Sequence, residues 1–378
     1  MLFQDLNLDP GIMKAIGDQQ YKKPTPIQEK AIPVLLSGKD LLGCAQTGTG
    51  KTAAFAIPIL QRLSQNIKKQ EQNNPIKALV LAPTRELAIQ IGESFEACGQ
   101  HLGIQTGVIY GGITPKRHIK VLKREPDVLV ATPGRLLDLI GQGYANLTHV
   151  EMFVLDEADR MLDLGMIKDV KDIISRLPKK RQNMLFSATI PQEVSKFVNS
   201  ILINPEKIKI EESPENQKEI KQQVYFVQSP EKTALLLHLL KDKSYESVLV
   251  FARTKRRADK VAKTLNKENI RSKAIHGDKN QSERLRALGR FKNKEIRVLV
   301  ATDLAARGID IDKLSHVINI DIPSVPETYI HRIGRTGRAG MSGTAISFCS
   351  EEEIPFLNEI EKLQRKEVEV VSEHPFLP

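Results

Sequence analysis

Short apolar runs alternate with longer amphipathic stretches along the whole chain. In the first half, the apolar runs cover residues 40–45, 78–82, 128–131, 152–155 and 184–186. Runs without polar alternation are typical of buried parallel strands, and amphipathic stretches between them are typical of crossover helices. The pattern therefore predicts an α/β fold, with a mostly parallel sheet flanked by helices.

The same rhythm starts again in the second half, with apolar runs at residues 247–251, 272–275, 297–301, 316–320 and 344–348. Between the halves, residues 211–219 contain no apolar residue and include a proline, which indicates a solvated linker. A chain of 378 residues is long enough to bury two cores. We therefore predict two tandem α/β lobes, residues 1–210 and 220–378, joined by a flexible linker.

The balance of charge favours an anionic partner. Lys and Arg number 56 against 46 Asp and Glu, which gives a formal net charge of +10 at pH 7. Such a balance suits nucleic acid, although solubility alone would also tolerate it. The three cysteines are far apart and form no C-x-x-C pair. An acidic N-terminal segment and the lack of a long apolar run favour a cytoplasmic protein without membrane contact.

Small and polar residues follow the ends of the apolar runs in both halves. In open parallel sheets, ligands bind beyond the carboxyl ends of the strands. The segments are AQTGTGKT (45–52), PTRELA (83–88), TPGR (132–135), DEAD (156–159), SAT (187–189), ART (252–254), HGD (276–278) and ATDLAARG (301–308). We expect both lobes to direct these loops at one shared cleft.

Residues 45–52 have the features of a phosphate-binding loop. Gly48 and Gly50 let backbone N–H groups surround phosphate oxygens at the start of a predicted helix. Lys51 is predicted to meet the β- and γ-phosphates of a nucleotide, and Thr52 to bind Mg²⁺. The strict pattern G-x-x-x-x-G-K-[ST] is not met, because residue 45 is alanine. The alternative interpretation is a glycine-rich turn with a surface lysine.

The DEAD segment places carboxylates directly after the apolar run MFVL. Charge at the end of a buried strand is costly unless a cation lies nearby. Asp156 is therefore predicted to hold Mg²⁺, and Glu157 to orient and deprotonate the attacking water. Capping of the following helix by these acids is the alternative.

HRIGRTGR, residues 331–338, offers three arginines at a spacing of three. In phosphoryl transfer, arginines from another domain neutralise charge that builds on the phosphate oxygens. The interleaved glycines favour a loop over a regular helix. A basic loop that faces RNA is the competing interpretation.

Together, in this order and at these spacings, the motifs resemble those of the DEAD-box ATP-dependent RNA helicase family, from Phe3 to Arg338. The resemblance implies that each lobe is RecA-like and that ATP and Mg²⁺ are the cofactors. It also implies RNA-stimulated ATP hydrolysis, coupled to local, non-processive unwinding of short RNA duplexes or to ribonucleoprotein remodelling. Within the family, the chain looks most similar to the short bacterial RhlE-type branch.

The resemblance extends to YKKPTPIQ, residues 21–28, which is similar to the family's Q motif. It implies that Tyr21 stacks on adenine and that Gln28 reads the edges of the base. Gln20 stands where the family usually has glycine, and Asp310 would hold the ribose. The implied nucleotide-binding residues are Phe3, Tyr21, Lys23, Gln28, Gln46, Thr47, Gly48, Thr49, Gly50, Lys51, Thr52, Gly308 and Asp310.

The resemblance also implies an RNA site spread over both lobes. The implied RNA-binding residues are Pro83, Thr84, Arg85, Gly111, Gly112, Thr132, Pro133, Gly134, Arg135, Arg253, Thr254, His276, Gly277, Gln281, Arg284, Thr302 and Asp303. Arg335 and Arg338 would be the arginine fingers. His331 would join an interlobe network whose first-lobe members are Asp159, Ser187, Ala188 and Thr189.

The division of these groups predicts a mechanism. The groups that activate water belong to the first lobe and the arginines to the second, so we expect closure of the lobes to complete the site. ATP and RNA should then each strengthen the binding of the other. With no Trp in the chain, we expect RNA contacts to reach mainly the sugar-phosphate backbone, without strong sequence preference.

Three alternatives stay open at the level of sequence. The protein could act as an ATP-dependent RNA clamp or annealer, with net unwinding incidental; ribonucleoprotein or RNA-decay partners are expected in either role. It could be another P-loop machine, although the chain has no N-K-x-D guanine motif and no L-S-G-G-Q signature. It could also be a helicase directed at DNA, because only the family resemblance selects RNA.

Overall fold

The computed structural model of the chain describes residues 1–46, 48–67, 76–190, 192–210, 220–306, 314–337 and 343–377. The chain divides into two compact units, Met1–Glu211 and Glu212–Pro378. Each unit holds one parallel sheet with helices around it. The predicted linker, residues 211–219, lies outside the described residues.

The first unit contains seven described strands and nine described α-helices. The strands are β1 (Leu41–Cys44), β2 (Ala78–Leu81), β3 (Thr106–Ile109), β4 (Val128–Ala131), β5 (Met152–Leu155), β6 (Gln182–Ser187) and β7 (Glu206–Lys209). The helices are α1 (Pro10–Asp18), α2 (Pro26–Leu36), α3 (Lys51–Ile67), α4 (Arg85–Gly99), α5 (Pro115–Leu122), α6 (Pro133–Gly141), α7 (Ala158–Asp163), α8 (Ile167–Ile174) and α9 (Gln192–Asn199).

The strand order in the first sheet is β3-β4-β2-β5-β6-β1-β7, and neighbouring strands run parallel. Both faces of the sheet are buried. In β2, Ala78 and Val80 pack into one core cluster, and Leu79 and Leu81 pack into the other. Burial on both faces explains why the central strands read as continuous apolar runs.

The second unit contains seven described strands and six described α-helices. The strands are β8 (Lys221–Phe226), β9 (Val248–Phe251), β10 (Ser272–Ile275), β11 (Val298–Ala301), β12 (His316–Asn319), β13 (Thr344–Cys349) and β14 (Glu369–Val370). The helices are α10 (Lys232–Leu239), α11 (Lys255–Lys267), α12 (Gln281–Lys292), α13 (Asp303–Ala306), α14 (Pro326–Ile333) and α15 (Ile354–Gln364).

The second sheet has the order β10-β11-β9-β12-β13-β8-β14, again with parallel neighbours. Its central strand β9 also faces two cores: Val248 and Val250 pack on one side, and Leu249 packs on the other. The predicted fold class, two tandem RecA-like α/β lobes, is confirmed.

Helix N-caps fix the points at which the chain turns from strand to helix. Thr84 caps α4 by accepting a hydrogen bond from the N–H of Leu87, and Thr254 caps α11 by accepting one from Arg257. At α12, Asn280 and Glu283 form a reciprocal capping box. These turns hold predicted site residues at the carboxyl ends of the strands.

Four strands had no apolar run that predicted them. The strand β3 alternates buried and half-buried residues, and β7 is the sequence EKIK with a single buried residue. The strands β8 and β14 are also rich in polar residues. All four lie at or next to a sheet edge, where one side of the strand meets solvent and the apolar signal weakens.

Candidate functional site

The phosphate-binding loop of the first unit is tied to the predicted Q motif. Gly48 and Gly50 have φ values of 80° and 90°, in the left-handed region that favours glycine. The side chain of Gln28 donates to the carbonyl oxygen of Gly50 at 3.0 Å and accepts from the N–H of Thr25 at 3.0 Å. A Cβ added to Gly50 would lie 2.5 Å from Gln28 Nε2, so only glycine fits there.

Lys51 and Asp156 bring opposite charges into a buried setting. Lys51 is 6% exposed, and its Nζ is buried with no hydrogen-bond partner among the described residues. Burial raises the pKa of the Asp156 carboxyl to about 6, against the lowering effect of the Lys51 ammonium. Unpartnered buried charges are rare in proteins, and they indicate a place prepared for a charged ligand.

The donor set around Asp156 fits Mg²⁺. The carboxylate supplies hard oxygen ligands, and Thr52 supplies a hydroxyl at the first turn of α3, one residue after Lys51. Mg²⁺ in nucleotide sites is typically held by one or two protein oxygens together with phosphates and water. The side chains present are therefore of the type that the ion requires.

Glu157 adopts a left-handed conformation, with φ 53° and ψ 54°, directly before α7. This conformation is uncommon for a residue other than glycine and marks local strain. Its carboxylate is nearly buried and accepts a hydrogen bond from Arg160 Nη1 at 2.8 Å. The contact fixes the predicted water-activating group and balances its charge.

The DEAD and SAT segments contact each other within the first unit. Asp159 accepts hydrogen bonds from the N–H and the hydroxyl of Thr189 at 2.8 and 2.9 Å. Ser187 Oγ accepts from the N–H of Asp159 at 3.2 Å and donates to the carbonyl of Thr189. The carbonyl oxygen of Ala188 accepts a hydrogen bond from the Cys44 thiol, at the end of β1, at 3.4 Å. The predicted coupling residues thus connect the DEAD turn to the strand that precedes the phosphate-binding loop.

The remaining nucleotide candidates have different exposures. Phe3 is buried in the first core, whereas Tyr21 and Lys23 are exposed. Thr49 donates its hydroxyl to the carbonyl of Gln46 at 2.7 Å, which stabilises the loop itself. Three further candidates lie outside the described residues: Thr47, Gly308 and Asp310.

A second cluster in the first unit brings three predicted RNA segments together. Gly111 and Gly112 lie against the guanidinium of Arg85, at the start of α4. Gly112 has a φ of 83°, and a Cβ there would lie 2.0 Å from Arg85 Nη1. Thr84 caps α4, as described, and Pro83 before it is buried. A side chain at Gly112 would therefore displace the Arg85 guanidinium, whereas a Cβ at Gly111 would only contact it, at 3.6 Å.

Arg135, the last residue of TPGR, is held by a buried histidine that the sequence did not single out. Its Nη1 donates to the carbonyl of Ile113 at 3.1 Å and contacts His118 Nδ1 at 3.2 Å. The other ring nitrogen of His118 accepts from the N–H of Tyr110 at 3.3 Å. Burial first, and the charge of Arg135 second, lower the pKa of His118 to about 4. His118 is thus neutral and joins α5 to two predicted RNA segments.

The other TPGR residues define the start of α6. Thr132 is its N-cap residue, and Pro133 occupies the first helical position, where its missing N–H costs nothing. Gly134 is exposed, and a Cβ there would meet only Asp169 at 3.8 Å.

In the second unit, Arg253 is fixed by groups distant in sequence. Its N–H donates to Asp321 at 2.9 Å, and its Nη2 donates to the carbonyl of Ile322 at 3.0 Å and to Glu353 at 2.6 Å. Glu353 also pairs with Lys232, which is 1% exposed and lies 3.8 Å from Asp321. A buried network of charges therefore supports the ART turn.

The HGD turn is anchored by His276. This side chain is buried, and its Nε2 lies 2.9 Å from Asp259 on α11. Gly277 is exposed beside the aliphatic part of Lys255. Arg284 is half-buried on the first turn of α12. Gln281 begins that helix, but its side chain lies outside what the structure describes.

Asp303 forms a bidentate ion pair with Arg332. The guanidinium donates to both carboxylate oxygens at 2.6 and 2.8 Å, and it also donates to Asn319 and to the carbonyl of Asp321. Arg332 is 2% exposed and lies over the ring of Phe251 at 5.0 Å. Such a fork fixes a planar carboxylate. Thr302, just before Asp303, is buried.

The expectation that HRIGRTGR is a loop is wrong for its first three residues. His331 and Arg332 lie in the last turn of α14, which ends at the buried Ile333. Gly334 then starts a turn that carries the half-buried Arg335, while His331 is exposed. Arg338 lies outside the described residues.

Four residues that shape the site went unrecognised: His118, Arg160, Lys232 and Glu353. Each is buried or nearly so. His118, Arg160 and Glu353 each bond a predicted site residue, and Lys232 pairs with Glu353. Charge at a position where an amphipathic pattern expects an apolar residue was the available signal. It appears at Lys232, between the apolar Val227 and Leu235.

The sheets and the loop with Lys51 define a two-unit P-loop enzyme, and comparisons with known proteins identify its family. The family model described as "DEAD/DEAH box helicase" matches residues 25–197, and that described as "Helicase conserved C-terminal domain" matches residues 231–340. No helix among the described residues combines the length and apolar character needed to cross a bilayer.

Curated relatives cover nearly the whole chain. It is 45% identical over 367 residues to the DEAD-box ATP-dependent RNA helicase CshA of Geobacillus kaustophilus (strain HTA426), covering 97% of this chain and 77% of the relative. It is 43% identical to the CshA of Bacillus subtilis (strain 168), covering 98% and 74%.

Two solved structures are also similar. S. cerevisiae Dbp5 bound to RNA and ADP BeF3 matches with a TM-score of 0.84 and 33% identity, covering 98% of this chain and 95% of that chain. A DEAD box protein from Methanococcus jannaschii matches at 40% identity and a TM-score of 0.55, covering 98% and 99%. The chain therefore belongs to the DEAD-box family of ATP-dependent RNA helicases. It binds ATP and RNA, and RNA stimulates its ATP hydrolysis.

Proposed function

We propose that the first-unit site hydrolyses ATP through Lys51, Asp156 and Glu157. The observation that carries this assignment is the buried Lys51 Nζ, which lacks a hydrogen-bond partner among the described residues. A γ-phosphate oxygen beside it would complete its coordination. Asp156 and Thr52 would hold Mg²⁺, which supplies charge neutralisation at the phosphates when it is bound. Glu157, kept in place by Arg160, would accept the proton of the attacking water.

The adenine assignment concerns the opposite end of the nucleotide. Tyr21 is exposed and free to stack on a base, and Gln28 keeps one amide hydrogen beyond its bond to Gly50. We assign base recognition to these two side chains and ribose binding to Asp310. Phe3 packs in the core beneath this segment.

Arg335 is assigned as an arginine finger, together with Arg338, and His331 as their partner in coupling the two units. The support is the division of these groups along the chain: the water-activating groups belong to the first unit, and these arginines belong to the second. Closure of the units on ATP and RNA then completes the catalytic set. Reciprocal strengthening of ATP and RNA affinity tests this step, and unchanged affinities would reject it.

RNA recognition is assigned to the two clusters already described. Arg85 and Arg135 in the first unit and Arg253 in the second unit present guanidinium groups next to exposed glycines or turns. Such groups suit phosphates, which are read without sequence preference. We propose local, non-processive unwinding of short duplexes as the outcome, with ribonucleoprotein or RNA-decay partners and a cytoplasmic location.

The branch within the family is assigned from the relatives. Those at 41–45% identity are CshA proteins, so they do not support the RhlE-type branch that the sequence predicted. We assign the chain to the CshA-type branch.

RNA-stimulated ATPase assays test the catalytic assignments. Lys51→Ala should lower kcat by about 10²–10³, because a preorganised charge at the transition state is lost. Arg335→Ala should remove most RNA stimulation, whereas Arg176→Ala, an exposed first-unit arginine, should leave it unchanged. Full turnover by the Lys51 variant would refute the phosphate assignment.

Duplex unwinding by wild type and Glu157→Gln separates a helicase from a clamp. The variant should bind ATP and RNA but fail to unwind over many turnovers. Equal strand release by both proteins would favour a clamp that separates strands through binding alone.

A further inference from the structure

The second unit contains a cavity of about 390 Å³ away from the predicted catalytic residues. It runs along the edge strand β10, between α11 and α12. Five cations, two carboxylates and one amide line it, and we call it the edge groove: Lys263, Lys273, Lys279, Arg286, Arg290, Asp259, Glu283 and Asn266. Ser272 and Ala274 belong to its floor.

Both walls of the edge groove follow helical spacing. Residues separated by three or four positions share one face of a helix. On α11 the lining residues are Asp259, Ala262, Lys263 and Asn266, and on α12 they are Glu283, Arg286, Ala287 and Arg290. Each helix therefore presents one continuous face, about two turns long, to the groove.

The charge of the edge groove is unevenly compensated. Lys279 pairs with Asp259 at 2.9 Å, and Arg290 pairs with Glu295 at 3.0 Å. By contrast, Lys263, Lys273 and Arg286 are exposed and make no ion pair with any described residue. The second carboxylate of the lining, Glu283, accepts a hydrogen bond from the N–H of Asn280 at 3.1 Å. The five cations still outnumber the two carboxylates, and the three cations without an ion pair favour an anionic ligand with several charges.

The outer edge of β10 is partly closed to another strand. Asn266 Nδ2 donates to the carbonyl of Ser272 at 3.1 Å, and the N–H of Ser272 donates to Asn266 Oδ1 at 3.1 Å. These bonds occupy the outward backbone groups of Ser272, which an added peptide strand would need. Recognition is therefore left to the cationic side chains, which suits repeated phosphates better than an extended peptide.

The edge groove adjoins the predicted RNA residues of the second unit. Asp259 lines the groove and also bonds His276 of the HGD turn at 2.9 Å. Gln281 and Arg284 lie on the first turn of α12, whose other face forms a wall of the groove. A strand leaving these residues would meet Lys279 first and then the three unpaired cations.

We propose that the edge groove binds the phosphodiester backbone of RNA beyond the segment held by the motif residues. The inference rests on the proposed RNA path over His276, Gln281 and Arg284. It adds a second, sequence-independent contact to one lobe. Because the contact needs extra nucleotides, it acts on long strands and not on strands that only fill the motif site.

The test compares two full-length triple variants with the same change of charge. The groove variant carries Lys263→Gln, Lys273→Gln and Arg286→Gln. The control carries Lys14→Gln, Lys207→Gln and Arg176→Gln, which are exposed in the first unit and form no ion pair with a described residue. Affinity is measured over a salt series for oligouridylates of about 10 and about 30 nucleotides.

For the longer RNA, the groove variant should lose about tenfold in affinity. The slope of log K against log salt concentration should become shallower by about 2, because each of three lost phosphate contacts contributes about 0.7. Affinity for the shorter RNA and the RNA-stimulated kcat should match wild type. The control should behave like wild type with both RNAs.

Three outcomes would overturn the proposal. Equal losses on both RNA lengths would mean that the cations act through general charge. Unchanged affinity for the longer RNA would exclude the groove as an RNA contact. Binding of polyglutamate that the groove variant alone loses, with RNA binding intact, would assign the groove to acidic protein segments. Failure of the proposed function looks different, since wild type would then show no RNA-stimulated turnover.

Discussion

Each of the two units buries a lysine, but the two lysines have opposite surroundings. Lys51, in the first unit, has a buried Nζ with no hydrogen-bond partner among the described residues. Lys232, in the second unit, pairs with Glu353 and lies 3.8 Å from Asp321. The first lysine is left to complete its contacts with a ligand, whereas the second completes them within the protein.

The same contrast extends to the carboxylates and arginines. Asp156 is desolvated to the point that its pKa rises to about 6. In the second unit, Asp303 is fully engaged by Arg332, which is itself held by four groups. The first unit therefore has unsatisfied charge at its candidate catalytic site, whereas the second uses satisfied charge to fix the conformation of loops.

Matched substitutions of the two lysines should give the largest separation. Lys232→Met should lower the free energy of unfolding by about 3–5 kcal/mol, because it removes the fully buried cation that lies between Glu353 and Asp321. Lys51→Met should change it by less than about 1 kcal/mol, since no internal bond is lost. Urea unfolding of the whole chain, followed by circular dichroism, measures both.

Lys241→Met, at an exposed position of the second unit, serves as the control for charge and should be neutral. If Lys51→Met and Lys232→Met lowered the free energy of unfolding by similar amounts, the proposed difference between the two lysines would be wrong.

A glycine pair sharpens the comparison within the first unit. Gly112→Ala and Gly143→Ala share the strain of a left-handed backbone, with φ of 83° and 77°, at about 1–2 kcal/mol each. Only the Cβ at Gly112 meets Arg85, whereas Gly143 has nothing within 4 Å. RNA affinity should fall about tenfold for the first variant alone, equivalent to about 1.4 kcal/mol. Equal RNA affinities in a fluorescence titration would show that Arg85 is not displaced.

The smallest expected effect concerns acid stability. His118 is held neutral, with its pKa lowered from 6.5 to about 4. The unfolded chain takes up a proton near pH 6.5, so this histidine's contribution is present above that pH and is lost as pH falls toward about 4. In His118→Gln, the urea midpoint should fall less between pH 7 and pH 5 than in wild type. His149→Gln, an exposed control, should follow wild type, and identical profiles for all three would contradict the assignment.

Candidate site residues could be predicted from the sequence where a motif and the strand or helix that positions it are adjacent along the chain. Asp156 directly follows β5, and Lys51 begins the helix after the loop at the end of β1, so motif and context agreed. Glu353 could not be predicted as a support for Arg253, because 100 residues separate the two and only the sheet brings them together. Edge strands such as β7 were missed for a related reason, since solvent on one side removes the apolar run.

The hydrogen bond between Gln28 and Gly50 has a consequence for nucleotide choice. One amide group touches both the segment assigned to the base and the loop assigned to the phosphates. A base that displaces this amide also shifts the phosphate-binding loop. A mismatched nucleotide should therefore lower kcat by a larger factor than it raises KM. Comparison of kcat and KM for ATP and GTP would reveal this kinetic form of selection.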